Sequence, residues 1–114
     1  MIEDLINRLF HARNAAHIVH WKTKSYAEHK ALGHYYEDVI EQLDGLIEAY
    51  QGTFGIIGDV DGQEKNISKM INDDIIWLNE NRGKVAKGVP ALENIIDELT
   101  ATHMKTLYKL ENLR

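Results

Sequence analysis

The sequence predicts an all-α protein, an antiparallel four-helix bundle, and three observations carry that reading. There is a single proline and no run of alternating Val, Ile and Thr residues that would mark strands. Apolar residues recur in steps of three and four along four separate stretches. The breaks between those stretches are short, and short connections set successive helices side by side and antiparallel. With 114 residues, the chain reads as one domain over 1–114, able to bury roughly 65% of its unfolded surface in one core without staples.

The first helix is expected from about Ile2 to Lys24, with Ile2, Leu5, Leu9, Ala12, Ala16 and Val19 as its apolar stripe. Ser25 is placed to cap the second helix, with Glu28 three residues on as the return half of a capping box. The second stripe is Leu32, Tyr36, Val39, Leu43, Ile47 and Tyr50, and the helix is expected to stop near Gly52. The stretch at 52–63 carries four glycines. Asp59, Asp61 and Gly62 faintly resemble the middle of a calcium loop, but the later ligands do not fit and a plain turn is the better reading. The third helix is expected from about Glu64 to Glu80, with Ile67, Met70, Ile71, Ile75 and Leu78 inward and Asn81-Arg82-Gly83 ending it. Pro90 suits the first turn of the fourth helix. That helix carries Leu92, Ile96, Leu99, His103, Leu107 and Leu110 on one stripe.

Composition excludes several classes. The absence of cysteine removes disulfide frameworks, zinc fingers, iron–sulfur clusters and thiol catalysis. An apolar fraction of 44% argues against disorder. No apolar run approaches the roughly 20 residues of a membrane span, and the start of the chain lacks a signal-peptide layout, so a cytoplasmic protein without a membrane partner is expected. Eighteen acidic against thirteen basic residues give a net charge of −5, which argues against a nucleic-acid partner. The motifs of P-loop, dinucleotide-binding, G-x-S-x-G and H-E-x-x-H enzymes are all missing from the sequence.

The histidines are the most unusual feature. Five of the six fall between residues 11 and 34: His11, His17, His20, His29 and His34. Imidazole is the commonest transition-metal ligand, and with carboxylates it suits iron, zinc or manganese. At 100° per residue, His20 and His29 each lie about 40° from the centre of their helix's apolar stripe, so both can point partly inward. His17 sits at a stripe edge, and His11 and His34 read as solvated. Asp44 and Glu48 lie one turn apart on the second helix, on a face turned about 100–140° from its core stripe. Simpler readings stand beside these. A histidine on an apolar stripe is most often a hydrogen-bonded core residue, and an Asp/Glu pair one turn apart is usually solvated surface. His103, with no carboxylate at metal spacing on its own helix, reads as structural, and Trp21 and Tyr26 read as packing anchors.

Taken together, His20-Trp21, His29, Asp44 with Glu48, and the closing Tyr50-Gln51-Gly52 resemble the first two helices of Dps proteins, the miniferritin branch of the ferritin-like superfamily. The resemblance covers roughly residues 10–55, and the run from His20 to Val39 is also similar to small Dps-like proteins of tailed phages. It implies a ferritin-like fold and a ferroxidase centre built between two subunits. His20 and His29 would come from one subunit, and Asp44 and Glu48 from its partner. The implied metal is iron, oxidised by peroxide or oxygen. Gly33 stands where the family carries an acidic ligand, and Glu37 lies one turn further on. The segment between His20 and His29 is three residues shorter than usual, 53–63 leaves little room for the family's short extra helix, and no Lys/Arg-rich DNA-binding tail precedes helix one.

Two functions are therefore expected to compete. One is a Dps-like homo-oligomer, associated through helices one and two, that binds iron or a similar divalent metal through His20, His29, Asp44 and Glu48. The other is a metal-free oligomeric interaction or ligand-binding protein that keeps the fold. Phe10, Ile18, Trp21, Tyr26, Tyr35 and Leu46 lie off or at the edge of the core stripes and motivate the oligomer in both cases.

Overall fold

Four helices and no strand make up the described residues, 1–63 and 65–113, of the computed structural model: α1 (Ile2–Lys22), α2 (Tyr26–Phe54), α3 (Ile67–Ala86) and α4 (Pro90–Asn112). The all-α reading holds. The chain forms two units, Met1–Gln63 and Glu64–Arg114, and within each unit two consecutive helices pack on one another.

In the first unit, residues pair in descending order along α1 and ascending order along α2. His20 meets His29, His17 meets Tyr36, and Ile6 meets Leu43. This is an antiparallel hairpin with a three-residue connection at 23–25. Ser25 caps α2 as expected, its hydroxyl accepting from the Glu28 N–H at 3.2 Å. The return half of the capping box is replaced, because the Ser25 N–H donates to Thr23 Oγ1 at 3.1 Å instead. The α2 stripe is as expected: Leu43 is buried, and Leu32, Tyr36, Val39, Ile47 and Tyr50 are half-buried.

The α1 stripe is largely the expected one, with Ala16 buried and Ile2, Leu9 and Ala12 half-buried. It differs in that Ile6, off the expected stripe, is buried, whereas Leu5 and Val19 are exposed. The burial of Ile6 has a cause outside the helix. The segment at 55–63 folds back, and its Val60 is buried between Ile6 and Leu43, with Leu9, Phe10, Ile47 and Ile57 packed around them. Phe10, expected among the surplus apolar residues, therefore belongs to this core. The Gly58 N–H donates to Glu3 Oε2 at 2.8 Å, and Gln63 Nε2 donates to Asn7 Oδ1 at 3.1 Å, so the strap is fixed to α1 along its length. Asp59 accepts from the Gly62 N–H at 3.1 Å, the arrangement of a plain turn. The second helix also passes the expected stop at Gly52 and runs to Phe54. The residue that ends it is Gly55, whose φ of 97° is in the region that favours glycine.

In the second unit, Asn66 caps α3 by accepting from the Lys69 N–H at 3.0 Å. The expected start at Glu64 lies outside the described residues. The expected stop at Asn81-Arg82-Gly83 is not one: α3 continues to Ala86, and the chain turns through Lys87 (φ 52°) and Gly88 (φ 78°). Arg82 is held inside the helix by α4. Its Nε and Nη2 donate to the two carboxylate oxygens of Asp97 at 2.7 and 2.9 Å, and its Nη1 donates to Glu93 at 2.9 Å. Pro90 opens α4 in its first turn, as expected. Ile96 is the buried residue of that helix, and His103 is half-buried with Nδ1 donating to the Leu99 carbonyl at 2.8 Å, a structural role.

Candidate metal centre

The hairpin turn of the first unit places His20 in the last turn of α1 and His29 in the first turn of α2. The two rings stack with centroids 3.7 Å apart and planes 18° from parallel. Each Nδ1 reaches the other residue's backbone. His20 Nδ1 lies 2.6 Å from the His29 carbonyl, and His29 Nδ1 lies 2.9 Å from the His20 carbonyl. A carbonyl oxygen can only accept, so both rings carry their proton on Nδ1 and donate it. The His20 carbonyl lies where α1 has run out of following N–H groups, so His29 serves as a side-chain cap for that helix end.

This arrangement leaves both Nε2 atoms free, since no hydrogen bond engages either among the described residues. A metal-ligating histidine is normally oriented in this way, with its other nitrogen donating to a carbonyl. Nearly parallel rings do impose a limit. Lone pairs lying in two stacked planes 3.7 Å apart do not converge within a metal–nitrogen bond of about 2.0–2.1 Å. Each imidazole in this geometry can serve its own ion, and the two cannot share one.

Around the pair sits an aromatic cluster that the periodicity did not reveal. The His17 ring stacks on Tyr36 at 3.9 Å and meets Trp21 at 4.4 Å, while Tyr36 stands edge-on to His20 at 5.3 Å. Arg13 lies over the same Tyr36 ring at 5.5 Å. Desolvation first, then the Arg13 charge and the His20 ring, hold the His17 imidazole below its ordinary value. A shallow hollow of about 300 Å³ runs along Arg13, Asn14, His17, Ile18 and Trp21. A larger one, about 500 Å³, lies at the far end of the hairpin against Leu5 and Tyr50, away from the histidines. Trp21 meets His17 on one side but is 69% exposed, and Tyr26 is 74% exposed, so neither is a buried anchor among the described residues.

Asp44 and Glu48 are exposed on α2, one turn apart. Fifteen residues of continuous helix separate Asp44 from His29, which is about 22 Å along the axis. One chain therefore does not bring the two halves of the expected site together, and among the described residues no group of three or more histidines and carboxylates could hold a metal. Glu37 is exposed and makes no hydrogen bond to either imidazole. Gly33 has a structural reason. A Cβ there would stand 3.1 Å from Cε1 and 3.4 Å from Nδ1 of His20, so the imidazole occupies the space that a side chain would need. The signal available in the sequence was only a glycine in the interior of the second helix.

The profile of a family of unknown function, DUF5856, matches residues 20–110, a span that starts at His20 and runs through the turn, both carboxylates and Arg82 with its partners. The chain belongs to DUF5856. It is similar to the uncharacterised 14.6 kDa protein in the mobD-ri intergenic region of Enterobacteria phage T4, with 28% identity over 113 residues that cover 95% of this chain and 86% of the phage protein. No solved structure matches the chain. Within this DUF5856 chain, no helix among the described residues is long and apolar enough to cross a membrane.

Proposed function

We propose that this is a Dps-like chain of ferritin-like four-helix architecture that associates with copies of itself through α1 and α2 and binds a divalent metal, iron first, at the interface. The supporting observation is the state of the two histidines. Both spend Nδ1 on a carbonyl and keep Nε2 open, the arrangement that ligand histidines require. His20 and His29 would come from one subunit, and Asp44 and Glu48 from its partner, where their exposure leaves them available. With parallel rings, each imidazole would hold its own ion, and the partner's Asp44 and the partner's Glu48 would supply the carboxylate ligands. Fe(II) is then the bound species and the substrate, giving an electron to peroxide or oxygen. Ile18, Trp21, Tyr26, Tyr35 and Leu46, all exposed on this hairpin, are the apolar surface such an association would cover.

The test is complementation. His20→Ala with His29→Ala abolishes Fe(II) uptake, as does Asp44→Asn with Glu48→Gln. Mixing the two variants after dissociation and reassociation restores part of the uptake, because some mixed dimers carry one intact site. Wild-type protein that takes up no iron, or a 13.1 kDa monomer in light scattering at high micromolar concentration, rejects the proposal.

The second reading is a metal-free oligomeric interaction or ligand-binding protein, and a specific observation favours it. The residue in the family's acidic ligand position is committed to packing, with the His20 ring seated on it. In that case the histidine pair is a clasp for the hairpin, and elemental analysis of protein purified without a histidine tag finds no metal.

A further inference from the structure

We propose that Gly33 is the positioning residue of His20. By carrying no side chain, it seats the imidazole against the α2 backbone, and the seat decides which ring nitrogen faces outward.

A glycine in a helix interior weakens the helix relative to alanine, because it gives up more backbone freedom on folding and packs nothing. Gly33 lies eight residues into a 29-residue helix, so its local effect is unfavourable and its reason must be tertiary. That reason is the His20 ring. A Cβ at position 33 would stand 3.1 Å from Cε1, closer than ordinary contact, and the ring would have to give way. The ring is held on three sides: Nδ1 donates to the His29 carbonyl at 2.6 Å, the His29 ring covers one face at 3.7 Å, and Tyr36 stands edge-on at 5.3 Å. Moving it by a few tenths of an ångström away from α2 lengthens the bond to the carbonyl. That bond is what keeps the proton on Nδ1 and leaves Nε2 as the open nitrogen. Once it is lost, the ring is free to exchange tautomers and to rotate.

The same argument bears on the acid that the miniferritin pattern carries at this position. A glutamate at 33 begins with the same Cβ. It would displace His20 before it could offer a carboxylate beside it, so an acid at 33 and a seated His20 are alternatives in this hairpin. Only this functional consequence rests on the metal-binding proposal; the seating itself does not.

The experiment reads a change of sign. Gly33→Ala lowers the melting temperature in the wild-type background. In the His20→Ala background, where the seat is empty, the same substitution raises it, because alanine is the better helix former. A rise of similar size in both backgrounds overturns the proposal. Independently, ¹⁵N NMR of the imidazoles at alkaline pH shows His20 protonated at Nδ1 in the wild type and a mixture with the Nε2–H tautomer in Gly33→Ala. An unchanged His20 tautomer in the variant also overturns it. Fe(II) titration of Gly33→Glu separates the two proposals. Uptake no better than wild type is expected, and tighter uptake overturns the seat. A wild type that takes up no Fe(II) rejects the metal reading and leaves the melting and NMR outcomes to decide on Gly33.

Discussion

The two hairpins share a topology and differ in what closes them. The α1–α2 hairpin is tied at its turn by two imidazoles that donate to backbone carbonyls, and at its far end by an apolar cluster completed by a returning strap. The α3–α4 hairpin is tied by charge, one guanidinium gripping two carboxylates on the facing helix. In the second hairpin the strongest polar groups satisfy one another. In the first, the same turn that holds the helices together leaves two lone pairs unused. A fastening that consumes its own donors is complete as structure, whereas one that uses a single nitrogen of each ring retains a chemical capacity. For that reason the functional proposal falls on the first hairpin.

The difference predicts unequal responses to core truncation. Leu43→Ala removes the centre of the Ile6–Leu43–Val60 cluster and is expected to cost about 2–5 kcal/mol in denaturant unfolding. Ile96→Ala removes the buried side chain of α4, which belongs to no comparable buried cluster among the described residues, and should cost less. The opposite ranking would show that the charge-tied hairpin also depends chiefly on its apolar contacts. A smaller effect should be common to both hairpins. Ser25→Ala and Asn66→Ala each delete one side-chain cap and are expected to cost about 1 kcal/mol, alike within error. A much larger loss for Ser25 would mean that the cap also supports the histidine turn.

Much of this architecture is legible in the sequence, and the misses have physical causes. The number of helices, the α2 stripe, the Ser25 cap and the position of Pro90 are local properties that spacing and side-chain chemistry express directly. The burial of Ile6, off the stripe that spacing marks on α1, is not legible because its contact, Val60, arrives from a segment more than fifty residues away. Asn81-Arg82-Gly83 carries a local glycine stop signal, yet α3 runs on to Ala86, with Arg82 paired to Glu93 and Asp97 on the facing helix. His20 and His29 stood out by composition, but their reciprocal bonds could not be read without the turn. Gly33 looked like a missing ligand until the ring seated on it gave it a purpose.

Salt offers a gentler probe of the same contrast. Arg82→Gln keeps some hydrogen bonding and loses the charge, so it should lower the melting temperature by a few degrees at low ionic strength and by less at high. The pair is only partly sheltered, with the Arg82 side chain 38% exposed, so a modest effect is expected. His29→Gln changes a hydrogen bond to a carbonyl, not an ion pair, and should show less salt dependence. Equal salt dependence for the two substitutions would mean that charge contributes no more at Arg82 than at the histidine turn.

The finest distinction is in pH. His17 is held below its ordinary value of 6.5 by desolvation, then by Arg13 and His20, and the Tyr36 and Trp21 rings also face it. As pH falls, the unfolded chain takes up the proton first. The stability that His17 contributes is therefore full above 6.5, declines as pH falls through its lowered folded value, and stays constant below it. Asp97 is held below its ordinary 3.8 chiefly by its hydrogen bonds to Arg82, so its contribution is full above 3.8 and is lost only as pH falls through its own lowered value. The first hairpin should thus soften in mildly acidic solution, where the second is still intact. Melting temperature against pH checks this. His17→Gln should flatten the slope just below neutrality and leave the steep acid limb, and Asp97→Asn should do the reverse. His17 is near solvent and its slope will be shallow, so the comparison requires both variants on one buffer series. If the slope below neutrality survives in His17→Gln, the lowered His17 imidazole is not its source and the contrast in pH response between the two hairpins fails.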